Sequence, residues 1–256
     1  MADVEYTVEG HIAHVRLNRP KSLNAISAEM DRMLLDAWTD INNNPEIWVA
    51  VLSAEGEKAF CAGGDIAAEA ENTGRLALGG GLTGVGGPLL KLKKPLVAAV
   101  QGYVLGGGFE LAMCADVIVA ADTAQFGMPE TKAGIIGEAG IMHRAIRQLP
   151  YRIAMGMILT GDRLTAAKAF DYGLVNEVVE MDTLLDSAMT WASRIASASP
   201  LANQAAKEAV LRCLADPLEA ALSTRFELIE AYAFSEDRME GRRAFGEKRK
   251  PQWSAR

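Results

Sequence analysis

Two glutamates, Glu110 and Glu130, stand twenty residues apart, each beside a break in regular structure. Glu110 closes the stretch Gly106-Gly107-Gly108-Phe109-Glu110, inside an otherwise apolar run. A carboxylate is costly to bury unpaired among Phe109, Leu111, Ala112 and Met113. Glycine in turn loses more conformational freedom on folding than any other residue. A bare backbone does let a ligand approach closely, and N–H groups at the start of a helix lack an intrahelical partner. Such a turn can hold negative charge developing on a carbonyl oxygen. The same residues also fit a tight strand-to-helix crossing, with Glu110 a solvated first-turn acid. Glu130 follows Pro129, a residue favoured at the first helical position; it reads either as a surface acid or as the partner of Glu110. A second glycine turn lies upstream in Lys58-Ala59-Phe60-Cys61-Ala62-Gly63-Gly64-Asp65, where Asp65 is a plausible N-cap. Two strand–glycine–helix turns can supply one N–H each, and a pair of donors makes an oxyanion hole. Two carboxylates beside it would suit general acid–base work on a carbonyl compound.

The elements that must position these residues are legible in outline. "YTVEG" and "HIAHVRLNRP" read as two strands with a turn at Glu9-Gly10. Residues 27–42 predict a helix capped by Ser27, with Met30, Met33, Leu34, Ala37, Trp38 and Ile41 at helical spacing. "WVAVLSA", "PLVAAVQG" and "VIVAA" are short continuous apolar runs, as expected of buried strands in an α/β core. Residues 72–88 carry seven glycines without a period and read as a mobile loop. From about residue 182 the pattern is helical only, over 182–197, 200–214 and 217–233, followed by a charged tail from Ser235. No internal repeat is visible.

Composition narrows the function. The 256 residues suffice for one large core, with or without a smaller appended module. A net charge of −7 lacks the basic footprint of a general nucleic-acid-binding surface, though a local basic patch could hold an anionic ligand. No apolar run approaches the ~18–20 residues of a membrane span. The N-terminus lacks a basic region followed by an apolar one, so no signal peptide is read and a cytoplasmic location is expected. Cys61, Cys114 and Cys213 form no metal or disulfide pattern and read as reduced, packed thiols. His11 and His14, three apart on a strand, face opposite sides and read as surface histidines rather than a metal pair. Gly79, Gly81 and Gly84 match a dinucleotide fingerprint, but without the strand before and helix after that would give it meaning.

Taken together, "RPKSLNAIS", "KAFCAGGDI", "QGYVLGGGFELAMCADVIVAA", "AQFGMPE", "LTAAKAFDYGLVNEVV" and "SEDRMEGRRAFGEKRKP" resemble the crotonase superfamily, and within it the enoyl-CoA hydratase/isomerase family. The resemblance covers essentially the whole chain, in order. It implies an α/β crotonase (ClpP-like) fold: a spiral of ββα units over residues 1–195, forming two roughly perpendicular sheets ringed by helices. A C-terminal helical module over 196–256 would drive trimer formation, as a homotrimer or a dimer of trimers. It implies an acyl-CoA substrate and an enolate stabilised by the N–H groups of Gly64 and Gly107. Glu110 and Glu130 match the two glutamates of the family's hydratases, carbon–oxygen lyases that add water to a trans-2-enoyl-CoA to give the 3-hydroxyacyl-CoA. Coenzyme A belongs to the substrate, and no metal or redox cofactor is implied. Candidate substrate contacts are Lys21, Ser22, Leu23, Ala62, Asp65, Ile66 and Ala67. Lys248 and Arg249 either reach a phosphate across a subunit contact or form a solvated face.

One segment departs from the family pattern. After Pro129-Glu130 the family form is G-x-x-P-G-x-G-G, whereas this chain has Gly134-Ile135-Ile136-Gly137-Glu138-Ala139-Gly140-Ile141. Glycine in place of proline adds local freedom. Glu138 is either a solvent-facing acid or a reader of a polar acyl substituent. The departure bears on the substrate more than on the reaction. It leaves an enoyl-CoA isomerase, or a dehydratase of a polar-substituted acyl-CoA like the carnitinyl-CoA dehydratases, as alternatives. An RNA-binding role, known for some relatives of the fold, is disfavoured by the acidic charge. A NAD-dependent enzyme would rest on Gly79, Gly81 and Gly84 alone.

Overall fold

The computed structural model describes residues 2–65, 85, 90–137, 139–214 and 216–256. The chain opens with an antiparallel hairpin of β1 (Val4–Glu9) and β2 (Ile12–Leu17), turning at Gly10 with φ +55°. In β2, Ala13, Val15 and Leu17 face the core and alternate with half-buried Ile12, His14 and Arg16, as the pleat requires. Helix α1 (Ala28–Asn43) begins at Ser27, whose hydroxyl oxygen accepts the Met30 N–H. Met30, Leu34, Ala37, Trp38 and Ile41 form its buried face, matching the spacing read from the sequence.

The chain then visits two sheets in turn. It runs through β3 (Val49–Ala54), β4 (Ala59–Cys61), β5 (Leu96–Val100), β6 (Tyr103–Leu105), α2 (Gly107–Ala112), β7 (Val117–Ala121) and β8 (Gln125–Gly127). Next come α3 (Ile141–Gln148), α4 (Tyr151–Thr160), β9 (Arg163–Thr165), α5 (Ala166–Asp171), β10 (Glu177–Val179) and α6 (Leu184–Ala196). One sheet has six strands in the order β1-β2-β3-β5-β7-β10, parallel from β2 onward. The other has four, in the order β4-β6-β8-β9, with β4, β6 and β8 parallel and β9 antiparallel. Three times a strand of the large sheet is followed directly by a short strand of the small one. The repeat missing from the sequence is therefore present as geometry, because each turn needs only apolar strands and a tight exit.

The large sheet is covered on both faces. One face joins the main core around Trp38, Phe60, Phe109 and Phe126; on the other, Val49, Val51, Val97, Ala99, Val119 and Ala121 meet Leu184, Ala188 and Ala192 of α6. Burial on both faces explains why these strands are continuous apolar runs.

The C-terminal helices are α7 (Pro200–Cys213), α8 (Leu218–Ser223), α9 (Glu227–Ala233) and α10 (Glu236–Glu247). Two expectations need correction. The single helix read over 217–233 is broken at Thr224–Phe226 by extended backbone, which buries Phe226 beneath the Arg212 guanidinium. The supposed charged tail is α10, capped by Ser235, because its charges are satisfied within the module. Buried Asp237 accepts from the Ser199 hydroxyl at 2.8 Å and the Ser254 N–H at 2.9 Å. Glu240 accepts from Arg249 and from the Gln252 N–H. Arg249, a candidate phosphate contact, is thereby engaged by Glu240 and Glu247. Lys248 ends the helix with φ +54°.

His11 and His14 have different partners. His11 stacks on Trp48, while His14 bonds the Ser53 hydroxyl at 2.7 Å. Both are half-buried rather than surface residues, and burial lowers the His14 pKa. All three cysteines are free, with Cys61 buried and Cys114 and Cys213 half-buried. Among the described residues no helix is long and apolar enough to cross a membrane. Gly79, Gly81, Gly84 and all of the 72–88 segment except Val85 lie outside the described residues.

Candidate active site

Parallel pairing brings the two glycine turns together. β4 and β6 are neighbours running the same way, so their C-terminal ends open side by side. Gly63 leaves β4 with φ +112°, and a Cβ built on it would lie 3.5 Å from the Leu105 carbonyl oxygen and 3.6 Å from the Gly107 nitrogen. The turns thus pack backbone against backbone. Gly64 forms a parallel bridge with Ile26, made by Ile26 N–H to the Gly63 carbonyl at 2.9 Å and Asp65 N–H to the Ile26 carbonyl at 3.0 Å. In such a bridge the central residue's own N–H points away, and that of Gly64 has no partner among the described residues. Gly107 is the first residue of α2, so its N–H has no intrahelical acceptor.

Each glycine of the triplet has a separate reason to be there. Gly106 has φ +51° and ψ −126°, a region that side-chain-bearing residues rarely enter. A Cβ on Gly106 would also stand 3.3 Å from Glu130 Oε1. A Cβ on Gly108 would overlap the Cys61 carbonyl and lie 2.6 Å from the Cys61 Cβ. Gly108 is what lets α2 settle onto β4, and Gly107 between them offers a donor that has no partner among the described residues.

The carboxylates converge on the same place. Glu110, on α2, is only 3% exposed, and its Oε1 accepts the Ile141 N–H at 3.0 Å. The Ala139 N–H reaches the same carboxylate. Glu130 lies half-buried on a single 3-10 turn, Pro129–Ala133, opened by Pro129 and closed by Gly134 at φ +73°. A Cβ built on Gly137 would be 3.4 Å from Glu110 Oε1 and 3.4 Å from Glu130 Oε1. The two oxygens therefore flank one point, and no more than twice that distance separates them.

Burial sets the proton affinity of the pair. Loss of solvent pushes Glu110 up to about 7; the Ile141 N–H opposes this, the negative charge of Glu130 adds to it, and Arg144 and the Ala139 N–H oppose it. Glu130 is raised too, chiefly by burial. Perturbed carboxylates beside unpartnered N–H donors are the usual equipment of proton-transfer sites. The Glu110 shift is also a stability statement. Between about pH 4.5 and 7 the folded chain keeps a proton that the unfolded chain releases. This contribution is complete below the unfolded pKa and is lost as pH rises through the folded one. Urea unfolding from pH 5 to 8 should show stability declining, with a flatter profile in Glu110→Gln; an unchanged slope would assign the decline to other groups.

The remaining candidates are placed as follows. Lys21 and Ser22 are exposed on a 3-10 turn, Pro20–Ser22, next to half-buried Leu23. The Leu23 carbonyl accepts the half-buried Ala62 N–H at 3.0 Å, tying this turn to the Gly64 arm. Asp65 is held by Arg19 at 3.0 Å, so its carboxylate is already paired; the helix it would cap lies outside the described residues. Ile66, Ala67 and Glu138 also lie outside them. Sequence reasoning singled out the 134–141 segment but missed that Gly137, Ala139 and Ile141 shape the carboxylate pair, Ala139 and Ile141 through their N–H groups and Gly137 through its missing side chain. The available signal was Gly140 just ahead of a helical pattern, since the first N–H groups of a helix seek outside acceptors. It also missed Asn24, whose buried amide donates to the Glu55 and Ala59 carbonyls and so fixes the turn beneath Gly64.

Comparison with known proteins identifies the family and the fold. The model of the enoyl-CoA hydratase/isomerase family matches residues 7–256. The (E)-benzylidenesuccinyl-CoA hydratase of Thauera aromatica is 38% identical over 251 residues, 97% of this chain and 97% of its own. The carnitinyl-CoA dehydratase of Citrobacter koseri is 39% identical, covering 99% of this chain and 98% of its own. A crystal structure from Novosphingobium aromaticivorans, of a protein inferred to be a short chain enoyl-CoA hydratase, superposes with a TM-score of 0.92 at 64% identity over 100% of this chain and 99% of that one. The enoyl-CoA hydratase of Mycobacterium tuberculosis superposes with a TM-score of 0.92 at 36% identity over the full length of both. The mixed α/β architecture is the crotonase fold.

Proposed function

The chain belongs to the enoyl-CoA hydratase/isomerase family, and from that premise we propose that it is a hydratase of 2-enoyl-CoA thioesters. The observation that carries this reading is the convergence of Glu110 and Glu130 on one point beside the paired donors of Gly64 and Gly107. One water, hydrogen-bonded by the two carboxylates outside the volume of the Ile141 methyl, adds to the β-carbon. One glutamate removes its proton, and the α-carbon of the enolate then takes a proton from the other glutamate or, where that one only orients the water, from the first. The electrons of the double bond move onto the thioester oxygen, where the two N–H groups receive the charge. Losing one such donor would cost about 3–4 kcal/mol of transition-state stabilisation. A raised pKa suits the pair, because a carboxyl poised near the working pH can both give and take a proton.

The CoA moiety is assigned to the turn bearing Lys21, Ser22 and Leu23 and to the arm of Ala62, Asp65, Ile66 and Ala67. A cytoplasmic location and a substrate-borne CoA with no further cofactor belong to the same reading. So does a trimer, or a dimer of trimers, built through residues 196–256. In support, Leu218, Leu222, Phe234 and Phe245 stand exposed on that module, Phe234 at 90%, and such apolar side chains are costly to leave in water.

A second reading keeps the chemistry and changes the substrate: dehydration of a polar-substituted acyl-CoA, with Glu138 meeting the substituent. It draws on the names of the relatives and on the unusual 134–141 segment. Enoyl-CoA thioesters of varied length and polarity should be screened for loss of the conjugated absorbance and formation of a 3-hydroxyacyl-CoA. A product whose double bond has only moved would replace the hydratase with an isomerase.

A further inference from the structure

Gly137 is buried, and a Cβ placed on it would overlap the γ2 methyl of Ile141. The same point is 3.4 Å from each catalytic carboxylate oxygen. The Ile141 methyl therefore fills the volume that a side chain at 137 would take, directly beside the carboxylate pair. Ile141 is only 1% exposed, and its β-branch restricts χ1 within a helix, so this methyl has little freedom to move away. Its backbone N–H meanwhile bonds Glu110 at 3.0 Å. One residue thus orients the carboxylate and builds the wall next to it.

We infer that Gly137 and Ile141 act as one steric unit that limits the substituents an acyl chain can carry at the carbon attacked between Glu110 and Glu130. The inference rests on the hydratase reading for the identity of that carbon. A reacting carbon must come within hydrogen-bond reach of water held by both carboxylates. An unbranched chain brings only hydrogen to the wall, whereas a β-methyl competes with the Ile141 methyl for the same volume. The absence of a side chain at 137 is what makes room for the branch at 141. Substitutions at the two positions should then be strongly coupled.

The test compares but-2-enoyl-CoA with 3-methylbut-2-enoyl-CoA. Ile141→Ala keeps the N–H bond to Glu110 but removes the wall. It should raise kcat/KM for the branched thioester relative to the unbranched one by about tenfold, the discrimination one methyl typically provides. Ile141→Val retains the γ2 methyl and should keep the wild-type ratio. Gly137→Ala should lower kcat/KM for both substrates in the wild type and far less in the Ile141→Ala background, where it rebuilds part of the wall. An unchanged ratio in Ile141→Ala, or an equal Gly137→Ala effect in both backgrounds, overturns the inference. If the wild type hydrates neither of these nor any other thioester of the screen, the hydratase reading falls; whenever these two are not turned over, the steric unit is judged by calorimetric binding of butanoyl-CoA and 3-methylbutanoyl-CoA. A shifted affinity ratio in Ile141→Ala then sustains it, and a constant ratio removes it.

Discussion

Replacing Glu130 by glutamine is expected to lower kcat for hydration by about two to four orders of magnitude. Affinity for a saturated acyl-CoA should change little. Glutamine keeps the shape and hydrogen-bonding reach of the side chain but can neither accept nor release the required proton. The substitution carries a second signature that a merely structural role would not produce. The Glu130 charge contributes to the raised pKa of Glu110. Its removal should lower that pKa and move the acid limb of the residual activity to lower pH. Glu110→Gln should cause a comparable fall in kcat and abolish that limb. Full activity in Glu130→Gln would end the two-carboxylate mechanism.

Gly108→Ala should be the most damaging small substitution in the site. Its methyl would meet the Cys61 backbone carbonyl, which belongs to β4 and cannot swing aside as a flexible side chain could. Overpacking against a fixed backbone costs about 3 kcal/mol. Relief can come only by lifting α2 from β4, which separates the Gly64 and Gly107 donors. Urea unfolding should therefore show a lower midpoint, and the surviving folded fraction should have a reduced kcat. Gly246→Ala is the control, because nothing lies within 4 Å of a Cβ there and the residue is in helix α10. A Gly108→Ala enzyme with wild-type stability and turnover would show that the close approach of α2 to β4 is dispensable.

What the sequence made legible is what short-range chemistry controls. Ser27 and the apolar spacing behind it specify α1 with its cap and buried face, because capping and periodicity act within a few residues. The glycine turns at 63–64 and 106–108 stood out for the same reason. What stayed hidden depends on groups far apart along the chain. Asp237 and Glu240 looked like members of a solvated charge run, yet their partners Ser199, Arg249 and Ser254 turn that run into a folded helix. Gly137 looked like a loosened loop in place of a proline. Its meaning emerges only when Ile141, Glu110 and Glu130 are brought around it, since a residue acting through absent volume leaves no chemical mark of its own.

The ladder β4-β6-β8 has a consequence for how this molecule can diversify. Its three parallel strands end on one side, and successive exits deliver Gly64, then Gly107 with Glu110, then Glu130. In the proposed reaction the charge-holding donors come from the first two exits, and the proton-handling groups from the last two. β9 runs the other way, so the series stops at three. Each exit is followed by its own segment and can be altered while its neighbours keep their register. A lineage with this layout could exchange the carboxylate at the third exit while retaining the Gly64 and Gly107 pair at the first two. New reactions would then arise by replacing one turn of chain and leaving the paired strands untouched.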